Sequence, residues 1–346
     1  MADSTFQISS SPKLYVSYPL YQYANNALDE TYAYSVTGLN EEDMIRLIQI
    51  DPSQQTHIAT GSESNYSALI YKIVPSYDDE TPVVTSGLWN FDFCMFLGHN
   101  FNSKQVYVKI NNGEIDLSNI VNFPPNEIPE YDGWSLCSLD SVPDDGDRNF
   151  IITVVSEQFG FDFNLGSVLW GKSYEFPQNT TLSTSTTFEY GIKQKTSITG
   201  KTISSANWTK PNNWITEPFG LGDEIGDNFQ RRSGRRVWKM SFDYLAPDKI
   251  MNQNMMMNDI GYYTQDNHAD AATMPENTSL YNINNGNDFF SSVVHKSMNH
   301  LPMVLQIDKN DNSPSNFAIV KMNKDYTIQM RSPNLYSISV TLTEQI

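Results

Sequence analysis

The amino-acid sequence predicts an all-β chain, and three observations carry that expectation. Charged residues make up only 18% of the 346, while Asn, Ser, Thr, Tyr and Phe fill short runs that suit strands and polar turns better than salt-bridged helices. Segments such as "GRRVWKMSFDYL" (234–245) and "YSISVTLTE" (336–344) put an apolar side chain at every second position, the period of a half-buried strand. No unit of 20 to 50 residues recurs, which argues against a solenoid or propeller. The length favours two domains over one.

In chain order, "SGLWNFDFCMFLGHNFNSKQVYVKI" (86–110) gives a continuous apolar run, then a Gly-His-Asn turn, then Val106, Val108 and Ile110 on one face. That pattern predicts a central strand beside a half-exposed one. The stretch "NFPPNEIPEYDGW" is too rich in proline for a helix or an inner strand. Phe150 to Val155 reads as a buried strand and Leu165 to Trp170 as a short one between glycines. Everything to about residue 176 is compatible with one antiparallel sandwich. From Pro177 the texture changes to sparse apolar residues among Thr and Ser, as expected of an exposed ribbon or β-arm. The strand from Arg235 follows, with Trp238, Met240, Phe242 and Tyr244 expected on one face. Residues 247–290 are polar and rich in Asn and Met, an insertion long enough to suggest a contact surface. A short helix is expected over Asp288–Met298 with Phe289, Val293 and Lys296 on one face. The closing strands are "MVLQID", "FAIVKM", "YTIQM" and "YSISVTLTE", the last with Ile338, Val340 and Leu342 inward.

Charge and motifs narrow the function classes. Forty acidic residues against 22 Lys and Arg leave a net charge of −18, a field that opposes the phosphate neutralisation nucleic-acid binding requires. No run approaches the ~18 apolar residues of a membrane span, and the first thirty residues lack the basic start and apolar stretch of a secretory signal. Two cysteines, Cys94 and Cys137, rule out a disulfide framework or a cysteine-based zinc site; buried thiols are expected, with a single bridge as the alternative. His99 reads as a structural turn histidine, and His295 and His300 are five apart, the wrong spacing for a helical metal pair. The loops "PDDGDRN" (Asp144, Asp145, Asp147) and "DKNDNSPSN" (Asp308, Asn310, Asp311, Asn312) cluster hard oxygens but lack the Gly and terminal Glu of a helical calcium loop, so Asx-rich turns are expected. No nucleophile elbow, P-loop or dinucleotide fingerprint is present. The expectation is a non-enzyme with no catalytic residues, metal or cofactor.

The only basic cluster is "QRRSGRR", with Arg231, Arg232, Arg235 and Arg236. In so acidic a chain these arginines are expected to pair with carboxylates on the same chain or on a neighbouring subunit. Together with Trp238, Trp208 and Trp214 they form the candidate interface set, since Trp and Arg are enriched at contacts. Trp89 and Trp134 are candidate sugar-stacking platforms.

Six segments, "FLGHNFNSKQVYVKI", "LGSVLWGKSYEFP", "GIKQKTSITGKTISSANWTKPNNW", "RRSGRRVWKMSFDYL", "LPMVLQIDKNDNSPSNFAIVKM" and "PNLYSISVTLTE", occur in an order that resembles tail-associated virion proteins of tailed bacteriophages, marine phages in particular. The resemblance implies a galactose-binding-like jelly roll over 1–176, with Gly98, His99 and Asn100 at its strand end. It implies a second, distal-tail-like β domain over 177–346, with Gly234, Arg235, Arg236 and Trp238 in its strand and an insertion at 247–298. The chain departs from that pattern around Met255 to Met257. The implied role is structural: a ring, hub or tip component of the virion tail, made in the host cytoplasm. The implied partners are further copies of itself and other tail proteins, without nucleic acid or membrane insertion. A carbohydrate-binding module for a host surface glycan is the alternative.

Overall fold

The long strands Arg235–Leu245 and Leu335–Glu344 form where the two-residue apolar period is densest, and every strand pairing among the described residues is antiparallel. The computed structural model describes residues 10–24, 41–50, 56–58, 66–73, 77–78, 81–82, 92–99, 106–110, 113–114, 120–121, 133–138, 150–156, 163–177, 185–206, 235–250, 287–312, 316–322 and 326–345. These are mostly β, with short helices at Tyr18–Ala24, Glu41–Ile48, Pro247–Ile250 and His295–Ser297. Among the described residues no helix is long and apolar enough to cross a membrane.

The largest sheet has eight strands, ordered Ser173–Glu175, Lys13–Tyr15, Met303–Gln306, Phe317–Met322, Leu335–Glu344, Arg235–Leu245 and Ser185–Glu189, with Thr327–Ser332 also pairing Leu335–Glu344. The sheet therefore draws strands from both sides of residue 176. Lys13–Tyr15 lies between Ser173–Glu175 and Met303–Gln306, with Leu14 opposite both Tyr174 and Leu305. Leu335–Glu344 sits inside the sheet. Along one edge it follows Arg235–Leu245, Val340 facing Met240 and Leu342 facing Trp238; its other edge is shared by Phe317–Met322 and Thr327–Ser332.

One face of this sheet carries the main core. Leu14, Trp238, Met240, Phe242, Leu305, Val320, Ile338, Val340 and Leu342 are all buried there with Tyr174 and Phe176. The Phe176 and Phe242 rings stack at 4.0 Å with their planes 6° apart. Phe289, Val293 and Val294 cover this face from a π-helical turn, Phe290–Val294, that runs into His295–Ser297. The expected helix is present with Phe289, Val293 and Lys296 all buried. The Asp288 carboxylate starts it, accepting from the Ser291 backbone N–H at 2.9 Å and from the Ser291 hydroxyl at 2.7 Å, which occupies an otherwise orphaned donor of the first turn.

The expected alternation in Arg235–Leu245 holds as far as Phe242 and then breaks. The register with Leu335–Glu344 shifts between Phe242 and Leu245, Tyr244 takes a positive φ of 60°, and its ring is 71% exposed while Leu245 is buried. A bulge that adds a residue to one strand rotates the following side chain to the other face.

Two four-stranded antiparallel sheets hold most of the remaining strands of the first half. One has the order Ser167–Gly171, Phe93–His99, Gly133–Ser138, Ile120–Val121; the other Tyr66–Ile73, Phe150–Ser156, Val106–Ile110, Gly113–Glu114. Phe93–His99 is central and buried along its whole length, as its continuous apolar run predicts. The expectation that it lies beside Val106–Ile110 is corrected: the two strands enter different sheets. The strand Gly133–Ser138, at the end of the proline-rich stretch, pairs with Phe93–His99 instead. A contact ties this part to the large sheet, because Tyr15 meets Phe93 edge-on at 5.0 Å. The loops holding Asp144, Asp145 and Asp147 and the Met255–Met257 stretch lie outside the described residues.

Candidate assembly surface

Arg235 and Arg236 open a long strand next to the outermost strand of the large sheet, and both reach carboxylates of their own chain. Arg236 packs over the Trp238 ring at 5.0 Å and grips the buried Glu344. Its backbone N–H donates to Glu344 Oε2 at 2.8 Å, its Nε to Oε1 and Oε2 at 3.0 Å, and its terminal nitrogen to Oε1 at 2.5 Å. Such a forked, charge-assisted arrangement suits a planar guanidinium. Arg235 bonds Glu189 of the adjacent outer strand through Nε at 3.0 Å and a terminal nitrogen at 2.9 Å. Of the two partners the sequence left open, these two arginines take the intrachain one. Trp238 is buried, so its indole belongs to the core and not to an outward contact. Nothing in the sequence marked Glu344 or Glu189 as partners, since both lie far from the arginines along the chain.

Arg231, Arg232, Trp208, Trp214 and Trp89 lie outside the described residues, and Trp134 is described only as part of the strand Gly133–Ser138. Of the proposed sugar platforms only that strand's position is therefore fixed: second from the edge in its sheet.

Among the described residues, His99, Cys94, Cys137 and Asp308 are held by the fold. His99 is fully buried, its Nε2 lies 2.7 Å from the Ser135 hydroxyl, and burial pushes its imidazole down to about 3, so it stays neutral, as befits a structural histidine. Cys94 and Cys137 are free thiols directly opposite each other on neighbouring strands; burial pushes Cys137 up to about 12 and Cys94 well above its ordinary value, Cys137 adding to the rise in Cys94. Asp308 sits in a turn of the expected Asx type: its carboxylate accepts from the Ser10 backbone and hydroxyl and from the Asn310 N–H, while Asn316 Nδ2 donates to the carbonyls of Asp308 and Asp311. Hydrogen-bond donors thus take up oxygens that a calcium ion would need. Among the described residues no group of three or more His, Cys, Asp or Glu side chains is placed to hold a metal.

The sequence did not single out the surroundings of Tyr18, where a buried lysine meets a buried phenol. Lys296 Nζ lies 4.8 Å from the Tyr18 ring centre and 3.4 Å from the Ser291 carbonyl. Burial first, and Lys172 second, pull the Lys296 ammonium down to about 8. The helical spacing placed Lys296 on the inner face, but Tyr18 comes from the other end of the chain.

Among the described residues, an exposed apolar surface lies at the outer end of the large sheet. Ser185–Glu189 pairs only with Arg235–Lys239 among the described residues, and its Phe188 is 47% exposed. After a bend at Gly191, φ 56°, the chain forms a two-stranded ribbon, Ile192–Thr196 with Thr202–Ala206. A tight turn closes it: Gly200, φ 82°, donates to the Ser197 carbonyl at 2.9 Å, and Ser197 donates to the Lys201 carbonyl at 2.9 Å. Every side chain from Ile192 to Ala206 is exposed. Ile192 and Ile203 are 60% and 64% exposed, and Ile198 at the tip is fully so. This is the exposed β-arm that the Thr- and Ser-rich texture predicted.

Comparison with protein-family models, with curated proteins and with solved structures finds no match.

Proposed function

We propose that this chain is a structural protein of a tailed-phage virion, a ring, hub or tip component that joins tail parts through contacts between subunits. On this reading the two four-stranded sheets of the first half belong to a jelly-roll-like sandwich. The large sheet, which also takes in Lys13–Tyr15 and Ser173–Glu175 from before the expected boundary at residue 176, belongs to a distal-tail-like β domain with its insertion. The observation that carries it is the outer end of the large sheet, where the strand that is outermost among the described residues continues into a ribbon whose side chains are all exposed. A lone two-stranded ribbon is marginally stable in water, and its isoleucines stand outside the main core cluster of the described residues. Such an element suits a subunit whose contacts are completed by assembly. The order of the six segments that resembles tail-associated proteins supports the same reading.

The test is the mass of the purified protein by light scattering across a concentration series, with electron microscopy of the same fractions and mass spectrometry of purified phage particles. Closed rings, or the protein recovered in particles, are the expected outcome. A protein that stays monomeric at high concentration and is missing from particles would overturn the proposal.

A further inference from the structure

We infer that the ribbon Ile192–Ala206 is a basic arm that docks on the acidic body of a second copy of this chain. The inference rests on the assembly reading above and names the partner of that surface. Its first support is exposure: Ile192 and Ile203 are 60% and 64% exposed, and Ile198 at the tip is fully so. Burying such side chains is worth about 25 cal/mol for each Å2 removed from water, so a partner surface is where they gain most.

The second support is charge, and it selects the partner. From Tyr190 to Ala206 the chain carries Lys193, Lys195 and Lys201 and no acidic residue, so all 40 carboxylates of the molecule lie elsewhere, against the remaining 19 of its 22 Lys and Arg. Bodies of this composition repel one another, whereas the arm of one copy is drawn to the body of the next. Lys193 and Lys195 alternate with Ile192 and Gln194, and Lys195 stands opposite Ile203. One ribbon face thus carries two ammonium groups beside an isoleucine, a mixture suited to a polar contact around a small apolar anchor. Arm into body is a contact between two different patches, which closes into a ring when the rotation between copies allows it.

The ribbon's own chemistry makes the test clean, because its exposed side chains can be changed without touching the core. The full-length protein is compared with two variants, one with Lys193→Glu, Lys195→Glu and Lys201→Glu together and one with Ile198→Asp. Light scattering against concentration is read at low and high salt, with a thermal melt to confirm folding. The wild type is expected to assemble, less so at high salt because exposed charge pairs are screened. The charge-reversed variant should need at least roughly tenfold more protein for half-assembly, the sum of a few exposed ion pairs, and Ile198→Asp should shift in the same direction. An Ile198→Cys protein carrying a photocrosslinker at that position should give inter-copy adducts on Asp- and Glu-rich peptides. Unchanged assembly in both ribbon variants would overturn the arm and leave the assembly reading standing. A wild type that never associates would overturn the arm, and its absence from phage particles as well would overturn the assembly reading. Adducts made only with added tail proteins or glycan would overturn the self-docking and assign the arm to that other occupant.

Discussion

Two β elements of this molecule are written in nearly the same polar alphabet and meet opposite fates. Leu335–Glu344 reads LYSISVTLTE and Thr202–Ala206 reads TISSA, both Ser- and Thr-rich with apolar residues set among them. In the first, Ile338, Val340 and Leu342 recur at every second position and are buried between Arg235–Leu245 on one side and Phe317–Met322 and Thr327–Ser332 on the other. In the second, Ile203 stands alone and stays largely exposed. Strand propensity is shared; the difference lies in the number of apolar side chains delivered to one face and the neighbours available to cover them. The helix from Phe289 supplies that cover for the sheet, and the ribbon has no counterpart of it among the described residues.

Substitutions should separate the two regions. The largest effect is expected for Phe242→Ala, which removes a fully buried ring stacked on Phe176; a loss of about 3–5 kcal/mol in the denaturant-derived stability is the expected result. A loss below about 1 kcal/mol would mean that this end of the sheet is as loose as the ribbon. Next comes Glu344→Ala, which strands the Arg236 guanidinium against the Trp238 ring. Breaking a largely buried pair costs about 3 kcal/mol, readable in the same melts, with Arg236→Ala as the matched control.

Acid should find the first half of the chain. The His99 imidazole is held neutral by burial, with its folded pKa near 3 and its unfolded value at about 6.5. Above ~6.5 neither state binds the proton, so nothing is lost; as pH falls from there towards 3, only the unfolded state is protonated and stability drops. The expected slope approaches ~1.4 kcal/mol per pH unit, and His99→Gln should flatten it in melts taken at pH 7.5, 6.5 and 5.5. His295, also lowered by burial, to about 4, adds a slope of the same sign. The smallest effect belongs to the ribbon: Ile203→Thr should change monomer stability by less than ~0.5 kcal/mol, as exposed substitutions do. A larger cost would show that the ribbon is part of the cooperative fold.

Much of the core was legible in the sequence, and so was the exposed character of the arm. Ile338, Val340 and Leu342 declare a buried face by their period, Phe289, Val293 and Lys296 by helical spacing, and the Thr- and Ser-rich ribbon by having too few apolar residues to bury. Less was legible where the outcome depends on a partner distant in the chain. Arg235 and Arg236 announced a need for carboxylates, yet Glu189 and Glu344 became their partners only once three strands lay side by side. The bulge that turns Tyr244 outward had no sequence signal beyond the good alternation it interrupts.

By itself, then, the sequence determined that Phe93–His99, Arg235–Leu245 and Leu335–Glu344 would be strands, which of their side chains would mostly face inward, and that the Thr- and Ser-rich ribbon would stay exposed, because these follow from local spacing and composition. It did not mark Lys13–Tyr15, Tyr66–Ile73 or the inner strand Gly133–Ser138, which opens inside a stretch judged too proline-rich for one. Only the tertiary structure decided which strands are neighbours. It sent Phe93–His99 and Val106–Ile110 to different sheets, and it drew Lys13–Tyr15 between Ser173–Glu175 and Met303–Gln306. The reason is that a two-residue period fixes a strand's faces but leaves both of its edges able to pair with any other strand, and that choice is made by the packing of the whole chain.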